Sequence, residues 1–121
     1  MKKLEISIFS LVGNAFCVEA EDGNKVYEFI KQALEERKNI VLDFINVEML
    51  TSAFLNTAVG QIYRDFTEDE IKNRIHTENL APEDIALLKR VISTAKLYFK
   101  DPERLQKSID EVLGEENEKA V

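Results

Sequence analysis

Residues 39–66 read NIVLDFINVEMLTSAFLNTAVGQIYRDF, and this stretch decides the fold. Residues 40–44 form a short run of β-branched and large apolar side chains interrupted by Asp43. Such a run is expected of a central strand covered on both faces. Asn46 and Glu48 then mark a loop, and Thr51 or Ser52 supplies a hydroxyl able to cap a helix. That helix, over about 52–66, would turn Leu55, Val59, Ile62 and Phe66 inward with Ala58 beside them. Asn56, Gln61 and Arg64 would face out. Gly60 inside a helix costs about 1 kcal/mol relative to alanine, which close packing against a neighbour would justify. The connection at residues 48–52 is where function is expected.

Upstream, Leu4, Ile6 and Ile8 alternate with Glu5, Ser7 and Phe9, the pattern of a half-buried strand over 4–12. Gly13 and Asn14 break it, and Phe16, Cys17 and Val18 fit either a second short strand or a packed loop. Glu19, Glu21 and Asp22 read as a solvated acidic run. Asp22-Gly23-Asn24 signals a turn and a helix start. The helix over about 24–38 would bury Val26, Phe29, Ile30, Ala33 and Leu34, with Arg37 and Lys38 complementing its dipole and Asn39 ending it.

Downstream, residues 67–70 can cap a turn, and the alternation from Ile71 to Thr77 predicts a strand near a sheet edge. Pro82 opens a helix over about 82–99 with Ile85, Leu88, Val91, Ile92, Ala95 and Phe99 on its buried stripe. Asp101-Pro102-Glu103 restarts a last helix over 102–113, stopped by Gly114. Residues 101–121 carry seven acids and three bases, and 115–121 read as a flexible acidic tail. The whole is expected to be a single domain over 1–114. It would be a small α/β sandwich with a mainly parallel sheet of about four strands, helices packed on it and an extra C-terminal helix.

The chain has 121 residues, 45% hydrophobic and 32% charged, with a net charge of −7. That is enough for one domain with a real core. The acidic balance argues against nucleic-acid binding and against anionic membrane surfaces, where clustered Lys and Arg are needed. A single cysteine, Cys17, excludes an intrachain disulfide, and with no signal or spanning segment the expectation is a cytoplasmic protein.

Residues 41–63, VLDFINVEMLTSAFLNTAVGQIY, resemble STAS domains, the fold of anti-sigma-factor antagonists and of sulfate-transporter tails. Residues 41–44 match the strand, Val47 and Leu50 the apolar loop positions, and residues 51–55 the loop-to-helix step. The closer match is to a bacterial and archaeal STAS-like family of unknown function. There an LDF strand and a T-S-x-F-L/A-N segment recur, with a later stretch like residues 88–92. The resemblance implies a regulatory, signalling module that meets a protein through the loop-to-helix corner, with a kinase-like ATPase domain as the partner known for antagonists. Phosphorylation-switched antagonists read Asp-Ser-Ser-Gly there and phosphorylate the second serine. The matching residues here are Thr51, Ser52, Ala53 and Phe54. Ala53 has no hydroxyl, so a phosphate would have to use Ser52 or Thr51.

Asn46, Glu48, Thr51, Ser52 and Asn56 are therefore the candidate partner- or anion-binding residues. The alternative use of the same helix start is a small-anion or nucleotide sensor, since its free N–H groups and positive dipole end attract anions. The plainer reading of Thr51-Ser52 is a capping hydroxyl. Asp43 reads either as a functional acid or as an acceptor for loop amides. No spaced cluster surrounds Cys17 or His76, the only histidine, so neither a metal nor a cofactor is expected and no catalytic base–nucleophile pair is marked. Cys17 reads as core filling, His76 as an exposed strand residue, and Tyr27, Tyr63 and Tyr98 as the rim of the core.

Overall fold

A computed structural model describes residues 3–100. β1 (Lys3–Ser7) runs directly into α1 (Ile8–Val12), followed by β2 (Phe16–Cys17) and α2 (Ala20–Glu35). Next come β3 (Asn39–Asp43), β4 (Met49–Leu50), α3 (Ser52–Leu55), a π-helical turn (Asn56–Gly60) and α4 (Ile62–Asp65). α5 (Glu68–Arg74), β5 (Ile75–Glu78) and α6 (Pro82–Lys100) complete the described residues. The helix expected over 102–113 and the tail after it lie outside them.

The strands fall into two parallel sheets, three strands in the order β1-β3-β5 and a separate pair β2-β4. Ile6 pairs with Leu42 and Leu4 with Ile40, while Ile40 pairs with Ile75 on the other side. These residues share one face and enter a single apolar core with Val26, Ile30, Phe54 and Ile62. On the opposite face Glu5, His76 and Glu78 are exposed. Among the described residues the apolar core cluster lies on one face of the sheet, while Ile40, Val41 and Leu42 of the central strand are all buried, as expected of a strand covered on both faces. Val41, on the face of Glu5 and His76, is 3% exposed and stands between these two register partners.

Two expected strands are helical in part. The alternation over 4–12 ends at Ser7, whose hydroxyl accepts from the Ser10 N–H at 3.1 Å and caps α1. Gly13, at φ 80°, closes that helix in the left-handed conformation that glycine adopts freely. Over 71–77, Ile71 and Ile75 also fit a helical spacing. Thr67 accepts from the Glu70 N–H at 3.2 Å, three acids fill the first turn, and the chain becomes extended only at Ile75. β5 does form the sheet edge.

α2 starts four residues earlier than expected, after Glu19, and ends at Glu35. Arg37, at φ 60°, and Lys38 lie past its end, and Asn39 begins β3 rather than ending the helix. Gly23 lies inside α2, not in a turn. A Cβ there would stand 2.5 Å from the Phe54 carbonyl oxygen and 2.9 Å from Thr57 Cβ. The close approach expected at Gly60 is thus at Gly23, where α2 crosses the segment after β4. At Gly60 a Cβ would meet Ala95 Cβ at an ordinary 3.8 Å.

Phe29 is 40% exposed, off the stripe assigned to it, and Tyr27 takes the inward place at 3%. Its hydroxyl donates to the Asp65 carboxylate and accepts from Arg64 Nη2 at 2.9 Å, tying α2 to α4. Burial and the Asp65 hydrogen bond raise the Tyr27 pKa against the opposing pull of Arg64. Burial pushes Asp65 up. Its hydrogen bonds from Tyr27 and Arg64 and the nearby positive charges outweigh that and hold it below the usual value.

The helix expected over 52–66 is a run broken by the π-helical turn, with the Gln61 N–H bonded to the Asn56 carbonyl at 3.1 Å. Leu55, Ala58, Val59 and Ile62 are buried as expected, and so is Phe54. Phe66 is half-buried against the core, and Gln61 is half-buried with its amide donating to the Thr57 carbonyl. The π-turn packs between α2 and α6. On α6, Leu88, Val91 and Ala95 are buried, Ile92 and Phe99 are half-buried, and Ile85 is 40% exposed rather than buried.

Candidate functional site

The corner begins where β3 ends. Asp43 Oδ1 accepts from the Ile45 N–H at 3.0 Å and from Asn79 Nδ2 at 2.7 Å. Of its two readings, the carboxylate thus serves as the acceptor for a loop amide, and it joins the ends of β3 and β5. The chain then turns through Phe44 and Val47, whose carbonyl and N–H meet at 3.1 Å. Asn46 holds a left-handed φ of 68° in that turn, a conformation its short polar side chain tolerates.

Residues 48–51 lie along β2. The Glu48 and Met49 N–H groups both reach the Ala15 carbonyl, at 2.8 and 3.3 Å, and the Thr51 N–H reaches the Cys17 carbonyl at 3.3 Å. Thr51 Oγ1 donates to the Val18 carbonyl at 2.7 Å and accepts from the Phe54 N–H at 3.2 Å. One hydroxyl thus caps α3 and fastens it to the segment after β2. Ser52 is exposed, and its hydroxyl makes no hydrogen bond among the described residues.

Asn46, Glu48 and Ser52 are exposed and Thr51 is half-buried, all on one loop and its helical continuation. Asn56 is exposed too, but it belongs to the π-turn. It lines a hollow of about 230 Å³ with Gln61 and with Thr94, Ala95 and Tyr98 of α6. The corner therefore gathers four of the five candidates, and Asn56 stands on the α6 side.

Two further residues belong to this surface. Phe16 and Met49 are register partners across β2 and β4, and they are 47% and 51% exposed. Their neighbours Cys17 and Leu50 pair on the buried face. The two-residue alternation of a strand thus places two large apolar side chains together in solvent. The signal was available: Phe16 precedes a cysteine and Met49 precedes a leucine, each an apolar pair that a strand must split between its faces.

Cys17 is fully buried, and burial, aided by the charge of Asp22, pushes its thiol up to about 11. His76 is exposed on β5, in the other sheet. Among the described residues no group of three or more His, Cys, Asp or Glu side chains could hold a metal ion, and no helix is long and apolar enough to cross a membrane.

A family model described as a STAS-like domain of unknown function (DUF4325) matches residues 22–84, just over half of the chain. The match takes in β3, the corner and the π-turn. Comparison with curated proteins and with solved structures gives no match.

Proposed function

The chain belongs to this STAS-like family, and we propose that it works as a non-enzymatic regulatory module that binds another protein through the corner at residues 46–52. The observation that carries the reading is the Phe16–Met49 pair. Two half-exposed apolar side chains lie on the same segments as Glu48 and Ser52, which supply a polar margin. An apolar centre with a polar rim is the anatomy of a protein-binding surface. The loop beneath it is held by backbone and Thr51 hydrogen bonds, so little order is lost on docking. The partner proposed is a kinase-like ATPase domain, the kind that the resemblance implies. Ser52 is the position at which a phosphate would control the contact. Its hydroxyl is unengaged among the described residues, whereas that of Thr51 is bonded on both sides.

The test compares the chain with Met49→Asp and with the double variant Glu48→Lys, Ser52→Lys, each checked for unchanged melting. Loss of the partner in both variants supports the corner. Retention in both at unchanged affinity places the contact elsewhere.

A further inference from the structure

A second surface shares no residue with Phe16 or with residues 46–52. Between α6, α5 and the edge strand β5 lies a groove of about 800 Å³. Phe44, Ile71, Ile75, Leu88 and Ile92 line its apolar part. Tyr63, His76 and Thr77 also line the groove, beside this apolar floor. The floor formed by Phe44, Ile71, Ile75, Leu88 and Ile92 has no side-chain polar atom to satisfy a ligand's own. An aliphatic chain has none to match.

The charged groups stand at the rim. Lys72 comes from α5, and Lys89 and Lys96 come from α6. None of the three has a carboxylate within ion-pair distance among the described residues. Lys96 Nζ lies 5.9 Å from the Tyr63 ring centre, a contact that leaves its charge in place. Glu68 and Asp69 of α5 also reach the rim. Among the described residues, three ammonium groups without an ion-pair partner face two carboxylates around one apolar hollow, a local reversal in a chain with a net charge of −7. The volume falls within the range of small-molecule sites, roughly 300–1,000 Å³.

We propose that this groove binds a free single-chain aliphatic carboxylate, its tail along Ile71, Ile75, Leu88 and Ile92 and its head at Lys72 and Lys89. The proposal is independent of the protein-binding reading. A partner-binding failure at Met49 leaves it standing, and the reverse holds too.

The experiment titrates the full chain with dodecanoate below its micelle-forming concentration, followed by calorimetry and by amide chemical shifts. Dodecanol, which has the tail without the charge, and butyrate, which has the charge without the tail, are titrated in parallel. Expected are shifts centred on residues 75–77 and 88–96, and weaker binding of dodecanol. The double variant Lys72→Gln, Lys89→Gln should bind dodecanoate about tenfold more weakly, as the loss of two exposed ion contacts implies. Both lysines are on the surface, so the fold does not depend on them. Three results would each overturn the proposal. One is no heat and no shifts with dodecanoate. Another is equal affinity for dodecanoate in the double variant. The third is contacts, in the free chain, from the side chains of residues 105–113 to Leu88 and Ile92, which would give the groove to the chain itself.

Discussion

Thr51 illustrates how one side chain sets the site. Its hydroxyl hydrogen goes to the Val18 carbonyl and its oxygen takes the Phe54 N–H. Thr51→Ala removes both, and the expected loss of stability is about 1–2 kcal/mol, within the range of strong helix caps. Thr51→Ser keeps the hydroxyl and should recover most of it, as read by chemical unfolding of the three proteins. Equal losses in both variants would mean that the methyl group, not the hydroxyl, is what matters. That a hydroxyl at Thr51 or Ser52 caps a helix is legible in the sequence, but not which of the two does so. The bond to Val18 is not legible, since no local pattern states which carbonyl comes within reach 33 residues away. The same limit applies to Asp43. Its position at a strand end was readable, but its partner Asn79 was not.

At the scale of elements, the helices were read most securely where apolar stripes were long, as in α2 and α6. The errors came from short segments in which periods of two and of 3.6 coincide. Ile71 and Ile75 satisfy both patterns. The cap at Thr67 and three acids in the first turn decide for a helix, although by themselves they fit a capped turn equally well. The region over 4–12 has the same origin, because Ser7 fits the outward position of a strand as well as the cap of a helix. Glycine was misplaced for a different reason. Close helix approach depends on crossing geometry, and that put the demand on Gly23 rather than Gly60. Gly23→Ala is therefore expected to cost about 2 kcal/mol through overpacking against the Phe54 carbonyl. Gly60→Ala meets only ordinary contact and should be neutral or stabilising by up to about 1 kcal/mol. Thermal unfolding of the two variants checks this, and a larger loss at Gly60 than at Gly23 would contradict the packing described.

At the scale of the molecule, burial raises the pKa values of Cys17, Tyr27 and Tyr63 among the described residues, and these groups bear on stability at alkaline pH. Each holds its proton more tightly when folded, so the unfolded chain releases protons first as pH rises. Their stabilising contribution is complete below the unfolded pKa values and is lost as pH climbs through the folded ones. For Cys17 that window runs from its ordinary 9.0 to about 11. Stability should fall across it, and Cys17→Ala should show a shallower fall, with the two tyrosines supplying the remainder. An identical slope in the variant would show that Cys17 is not the group responsible.

The measurement that tests the central claim most directly is site-specific photo-crosslinking of the full chain in its own cells. A photoreactive residue replaces Met49, Ser52 or, as a control, Phe29, which is 40% exposed on α2 and outside the corner. The expected adduct is one protein with a kinase-like ATPase domain, attached at positions 49 and 52 and absent at 29. Capture of that protein at 29 but not at 49 or 52, or no adduct at the corner at all, would contradict it.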